Sequence, residues 1–250
     1  MTLPRVMCVH AHPDDESLWT GGTIARHVDL GGEISVVTTT WAPGTSRHAE
    51  LCQALQELGV TSEPIMMGYA DDGVPESAPG RERFCDGRFD RQVKELVRHI
   101  RRLKPDIVIT YDAAGIYGHR DHVHANRLAC AAADAAAVPM LHRSTGPPWR
   151  VKSLYLATVP IWMVEAVADD LFPTMSKYAL PGTQPAMIDL ELDVSKWVDR
   201  KAAAIRAHRS EVERSYMISH LMNLPPEKRD PLLGIENYIR RDLVRGGIDL

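Results

Sequence analysis

Two short stretches of this 250-residue chain are dense in imidazole and carboxylate. The first is His10-Ala-His12-Pro-Asp14-Asp15-Glu16-Ser17. The second is Tyr117-Gly-His119-Arg-Asp121-His122-Val-His124. Neutral imidazole and carboxylate are donors that suit zinc. His12 and Asp15 can meet one cation, and Asp14 beside them can act as base toward a water held there. The plainer reading is a helix start, with Asp14 or Asp15 as N-cap and acids favoured in the first turn by the helix dipole. In the second stretch His119 and His122 lie three apart and share one helix face. Its plainer reading is a polar helix start with solvated histidines.

The elements that position these stretches decide between the readings. Arg5 to Val9 is a short apolar run, expected as a buried first strand. Ser17 to Leu30 reads as a helix closed by Gly31-Gly32, Glu33 to Thr40 as a β-branched second strand, and Arg47 to Leu58 as a helix ending at Gly59. Pro64 to Met67 is a third strand, and Gly68 to Arg88 a Gly-, Pro- and Asp-rich loop near the site. Phe89 to Leu103 has apolar residues at helical spacing and stops at Pro105. Asp106 to Thr110 is a fourth strand, followed by an Ala-rich helix from about His119 to Val138. Strands alternating with helices predict a Rossmann-like, doubly wound, mostly parallel α/β sheet with helices on both faces. Such sheets bind ligands at the carboxyl ends of their strands. Both polar stretches fall at that edge.

Taken together, His12, Asp15 and His122 make three protein ligands, the number an open catalytic zinc site needs. One Zn2+ per chain is expected. His10 is a rival, because period-two alternation puts it on the side of His12; Pro13 and the turn give His12 the better reach toward Asp15. A helix turns His124 away.

The second half is less regular. Val151 to Thr158 and Ala186 to Leu192 read as strands, and Ser195 to Ser210 as a helix. Pro139 to Pro148 and Pro173 to Pro185 read as connections. Residues 1–250 are expected to form a single domain. In it, residues 1–146 are the Rossmann-like core carrying the metal site, and residues 147–250 a smaller C-terminal part that covers the site and shapes the cleft. Trp162, Met163, Phe172 and Met175 read as core, and His208 as structural.

Bulk properties exclude other classes. A net charge of −4 without a Lys/Arg run argues against nucleic acid or an anionic membrane as partner. The apolar runs are too short for a membrane span. With no export signal and no CxxC among the four cysteines, a reducing cytoplasm and free thiols are expected. Strand one leads into HPDDE rather than GxGxxG, which argues against a dinucleotide.

At these residues the chain resembles the LmbE-like, or PIG-L, N-acetylglucosaminyl deacetylases. Ala11-His-Pro-Asp-Asp-Glu16 is similar to their signature and His119-Arg-Asp-His122 to their second motif, usually HPDH. The look is closest to the mycothiol-pathway deacetylase and the mycothiol conjugate amidase, through Val108-Ile-Thr-Tyr-Asp112, Tyr117-Gly118 and Asp121-His-Val-His124, and more weakly at Arg47 to Val60 and Trp149 to Tyr155. The resemblance implies zinc on His12, Asp15 and His122, Asp14 as general base, and His119 as electrostatic stabiliser or acid. It also implies Asp121 orienting His119, Tyr117 near the substrate carbonyl, and Arg47 contacting sugar hydroxyls. The implied reaction is hydrolysis of the N-acetyl amide of an amino-sugar glycoside, a small-molecule substrate, in secondary-metabolite or thiol biosynthesis. An amidase acting on a larger thiol-conjugate amide and a non-catalytic metal-binding module are the alternatives. Two departures stand out. Arg120 replaces the proline of HPDH, and the loop Trp41 to Ser46 is short and acid-free where thiol-pathway relatives carry a longer Glu-bearing one. The second departure predicts a bulkier, less polar aglycone.

Overall fold

The computed structural model describes residues 3–171 and 181–250. Strand β1 (Val6–His10) is buried along its whole length, as a central strand covered on both faces must be. The chain continues through α1 (Asp15–Asp29), β2 (Ile34–Thr40), α2 (Ser46–Glu57), β3 (Ile65–Tyr69), α3 (Phe89–Leu103) and β4 (Ile107–Tyr111). A distorted turn, α4 (Gly115–Gly118), precedes the Ala-rich α5 (Arg120–Ala136) and β5 (Ser153–Thr158). Then follow α6 (Ile161–Ala166), α7 (Ala168–Leu171), β6 (Leu190–Asp193), α8 (Val198–Ala207), α9 (Arg209–Arg214), α10 (Tyr216–Asn223), α11 (Pro226–Leu233) and β7 (Ile235–Asp242).

The strands form one seven-stranded sheet in the order β3-β2-β1-β4-β5-β7-β6. The first five are parallel, and β7 and β6 join antiparallel. This is the expected doubly wound, mostly parallel sheet. Alternation along β1 separates its two covers. Met7 and Val9 face α3 and α5, whereas Val6 and Cys8 face α1, α2 and α8. From β1 the chain steps outward through β2 to β3, then returns to the other side of β1 with β4 and β5. The strand order therefore reverses between β1 and β4, and the crevice beyond their carboxyl ends is where such sheets bind ligands.

The second half departs from the reading in detail. The strand expected over Ala186 to Leu192 is the shorter Leu190–Asp193. The helix expected over Ser195 to Ser210 breaks at His208, whose ψ of 60° cannot continue it. Strand β7 has no counterpart in the sequence reading: its charged Glu236, Arg240 and Arg241 hide the period-two signal, and Glu236 is buried because Lys201 pairs with it at 2.6 Å and the Gly22 and Thr23 N–H groups donate to it. Helices α10 and α11 close over α8 through Ile218, Leu221, Met222 and Leu233. Phe172, Met175 and most of the Pro173 to Pro185 connection lie outside the described residues. Among the described residues no helix is long and apolar enough to cross a membrane.

Candidate metal centre and active site

The crevice between β1 and β4 brings His12, Asp15 and His122 together. His12 Nδ1 lies 3.1 Å from His122 Nε2 and 3.2 Å from an Asp15 carboxylate oxygen, and His122 Nε2 lies 3.4 Å from the other. A tetrahedral ion with bonds of ~2.0–2.1 Å holds its donors about 3.3 Å apart, so the three are spaced to share one. All three are buried. The ring nitrogens facing away already have partners, as ligating imidazoles require. His122 Nδ1 is 3.3 Å from the Gly115 carbonyl. His12 Nε2 is 3.3 Å from Asp121 and 3.4 Å from Asp71. The Asp15 carboxylate is fixed by the Tyr111 hydroxyl at 2.7 Å, the His12 N–H at 2.8 Å and the Trp19 indole N–H at 3.0 Å. The Tyr111 ring stacks on His122 at 4.2 Å.

The electrostatics select positive charge. Burial works against a charged His12, yet Asp121, Asp15 and Asp71 outweigh it and hold the imidazole well above its usual pKa. Burial also acts to raise Asp15, and the imidazoles of His122 and His12 bring it well below the carboxylate range. A proton on His12 and a bound cation are alternative answers to the same field. These donors fit a divalent metal ion.

Asp14 occupies the N-cap position of α1 but makes no side-chain cap bond. The plain helix-start reading therefore does not account for it. Its φ of 139° is rare for a residue with a side chain. Two groups hold it there. The buried Glu16 carboxylate accepts the Asp14 N–H at 3.0 Å and also binds Ser17 Oγ and His208 Nε2, the latter at 2.8 Å. The Arg47 guanidinium lies 3.2 Å from the Asp14 carboxylate. Burial and the adjacent Asp15 push the Asp14 carboxyl up to about 8, against the pull of Arg47 and His208. Arg47 is itself buried, donating to the Pro13 carbonyl and to Glu211 and standing 5.0 Å over the Trp41 ring. It thus grips Asp14 from inside the protein.

His119 caps α5: its Nδ1 accepts the Asp121 N–H at 3.2 Å. That fixes the neutral tautomer, leaving the proton on Nε2. His119, His12 and His122 lie close enough to share an ion, but a nitrogen that keeps its proton donates rather than ligates. Burial and the neighbouring imidazoles of His12 and His122 lower the His119 pKa. The expected orienting bond from Asp121 to His119 is not what the structure shows. The Asp121 carboxylate turns back into the crevice, to His12 Nε2 and to the Asp72 N–H at 2.9 Å. The ring of Tyr117 lies 5.1 Å from His122 and 6.2 Å from His119. The preceding Ile116 has φ 65°, a strained value for a β-branched residue, and this twist turns Tyr117 toward the cleft.

His10 is buried against Thr20 and Tyr111 and stands outside the donor set. His124 bonds Gln92 on the α3 side, as its helical position requires. Arg120 places no free charge beside His119; it is paired with Asp72 at 2.7 Å and Asp86 at 3.0 Å. Residues that sequence reasoning missed are Tyr111, Trp19, Asp71 and Glu211. Tyr111 ends the fourth strand, at the binding edge, which is a readable signal. Asp71 follows β3 in an Asp-Asp-Gly turn, its Oδ1 accepting the Gly73 N–H at 2.7 Å. Glu211 sits 164 positions from its partner Arg47, and no local pattern announces it.

Comparison with known proteins agrees. Residues 7–133 match the family model described as PIG-L: GlcNAc-PI de-N-acetylase. A 1D-myo-inositol 2-acetamido-2-deoxy-alpha-D-glucopyranoside deacetylase of Streptomyces avermitilis is 34% identical over 97% of this chain and 92% of its own. The enzyme of the same name from Mycolicibacterium vanbaalenii is 36% identical over 90% of this chain and 88% of its own. Among solved structures, the conserved protein TT1542 from Thermus thermophilus superposes with a TM-score of 0.64 at 23% identity, covering 99% of this chain and 97% of that one, and so shares the fold. The chain belongs to the PIG-L de-N-acetylase family.

Proposed function

We propose that this protein is a zinc-dependent deacetylase that hydrolyses the N-acetyl amide of an amino-sugar glycoside, releasing acetate and a free amine. One observation carries the reading: two imidazoles and a carboxylate, from segments more than 100 positions apart, stand within 3.4 Å of one another at the strand-order switch point. Zinc held by His12, Asp15 and His122 would polarise the amide carbonyl and bring the pKa of a water toward about 7.

The remaining steps belong to the chain's own groups. Asp14, gripped by Arg47 beside the metal donors, takes the proton of the attacking water. The Nε2–H of His119 and the Tyr117 hydroxyl donate to the carbonyl oxygen as charge develops on it. The C–N bond then breaks, and Asp14 returns its proton to the leaving amine. Asp121 keeps the His12 ring in place. Arg47 keeps N–H groups beyond those given to Asp14, Glu211 and the Pro13 carbonyl, its Nε–H without a partner among the described residues, and serves as a donor to a sugar hydroxyl. The relatives' named activity supports an N-acetylglucosaminyl glycoside as substrate. Residues 147–250 shape the cleft through Glu211 and His208, and free thiols accord with a cytoplasmic location.

The test is metal removal. Protein stripped by chelator should release no acetate from N-acetylglucosaminyl-inositol or from a bulkier N-acetylglucosaminide, and added zinc should restore turnover. Undiminished turnover without metal, or full zinc content in His122→Ala, overturns the reading.

A further inference from the structure

Beside the metal donors lies a second feature that acetyl chemistry does not use. A cavity of about 330 Å3 is walled by Met163 and Val164 of α6, Leu221 of α10 and Leu232 of α11, and its lining is mostly apolar. That size suits a ligand group rather than a packing defect. An acetyl methyl leaves nearly all of it unfilled. Two residues belong both to the cavity wall and to the reaction centre. Trp19 holds Asp15 through its indole N–H at 3.0 Å, and Tyr117 stands 5.1 Å from the His122 ring. The cavity therefore adjoins the metal donors.

One polar group in its wall is unexplained. Asn237 is buried, and its amide oxygen has no partner among the described residues. The other charges at the wall are satisfied: Glu236 takes Lys201 and the N–H groups of Gly22 and Thr23. An alkyl chain offers this oxygen no donor, and the apolar lining beside the reaction centre sets the class of ligand instead.

Polarity assigns the direction. The charged wall of Asp14, Arg47 and Glu211 is suited to sugar hydroxyls. Tyr117, assigned above to the amide carbonyl, also lines the cavity, so the substituent on the carbonyl carbon is the part of the substrate nearest to it. We infer that this cavity takes the N-acyl chain, and that the protein hydrolyses amino-sugar amides bearing apolar acyl chains of about six to eight carbons in preference to acetyl. The inference rests on the amidohydrolase reading above.

The zinc-loaded protein should be assayed by release of free amine from N-acetyl, N-butyryl, N-hexanoyl and N-octanoyl glucosaminides sharing one aglycone. Each methylene drawn from water into the cavity can raise kcat/KM by at most about fourfold. The hexanoyl substrate should exceed the acetyl one at least tenfold. In Val164→Trp, or Val164→Met should the larger residue not fold, the hexanoyl-to-acetyl ratio should fall at least threefold. A flat or declining series with acetyl still cleaved, or an unchanged ratio in the folded variant, overturns the inference. A gain on an O-hexyl N-acetylglucosaminide but none on the N-hexanoyl substrate overturns the acyl assignment. Failure to cleave any member overturns the amidohydrolase reading instead.

Discussion

Glu16 touches none of the metal donors directly, yet it should matter as much as they do. Its buried carboxylate accepts the Asp14 N–H at 3.0 Å and meets His208 Nε2 at 2.8 Å. It is one of the constraints keeping Asp14 at φ 139°, a conformation that costs about 1–3 kcal/mol and persists only where its surroundings impose it. In Glu16→Gln the amide oxygen can still take the Asp14 N–H while the NH2 faces a now neutral His208. What is lost is one charge-assisted hydrogen bond, about 1.5–3 kcal/mol. In Glu16→Ala both the Asp14 N–H and the buried His208 are left unsatisfied, about 3–5 kcal/mol. In a chain of this size each kcal/mol moves Tm by about 2–4 °C. Glu16→Gln should therefore melt about 3–12 °C below the parent, and Glu16→Ala about 6–20 °C below. Zinc should still bind both variants, because His12, Asp15 and His122 are untouched. The rate constant kcat should fall in Glu16→Ala, as Asp14 relaxes away from its working position, with less change in KM. Melting curves, elemental analysis and steady-state kinetics on the same preparations decide the matter. A Glu16→Ala protein that melts within about 2 °C of the parent and keeps its kcat would show that Arg47 alone positions Asp14.

Other expectations follow from the same geometry. Asp14→Asn should keep its metal and lose at least about a hundredfold in kcat, as expected on removing a general base; near-normal turnover with metal bound would move the base elsewhere. Asp121→Asn should weaken zinc binding about 10–100-fold through loss of the carboxylate partner of His12, with competitive chelator titration as the readout, and unchanged affinity would refute that role. Gly115→Ala would put a methyl group 2.7 Å from His122 Cβ at a φ of +62°, so zinc content and Tm should fall together; a variant that keeps both shows that the turn can yield. The pair Glu16–His208 also has a pH signature. Burial opposes a charged His208, Glu16 outweighs it, and the pKa is raised above 6.5. A raised histidine contributes its full stability below pH 6.5 and loses it as pH climbs through the folded value. The stability difference between the parent and His208→Gln should therefore shrink above pH 6.5, and a difference that grows would reverse the assignment.

The fold was legible because its signals are local. Strands β1, β2 and β4 are short β-branched or apolar runs, and α3 shows its apolar stripe at Val93, Leu96, Val97 and Ile100, ending where Lys104 adopts a left-handed conformation before Pro105. The carboxyl-edge rule then placed both histidine stretches at one crevice without any knowledge of contacts. The C-terminal half lacked such signals. Strand β7 alternates poorly because its one deeply buried large apolar side chain, Tyr238, sits between Glu236 and Arg240. Its sheet position comes from pairing with β5, whose register no local pattern fixes.

The supports of the site were illegible for a related reason. Asp14 depends on Glu16, Arg47 and, through them, His208 and Glu211, which arrive from α1, α2, the α8–α9 junction and α9. Each alone has a plain explanation: a first-turn acid, a helix arginine, a structural histidine, a surface glutamate. Only closure of α8 and α9 against α1 and α2 turns them into one buried ion network. The missing acid in the Trp41 to Ser46 loop shows the consequence. Read along the chain, its absence predicts a less polar cleft. In space, Glu211 supplies a carboxylate on Arg47 from the far side, so the charged wall persists although the loop is short. Apolar character enters instead where Trp19 and Tyr117 line a cavity with residues of α6, α10 and α11. Selectivity for a less polar substrate should accordingly reside in the group that enters this cavity, and the length of the Trp41 to Ser46 loop should matter less than the walls of the cavity.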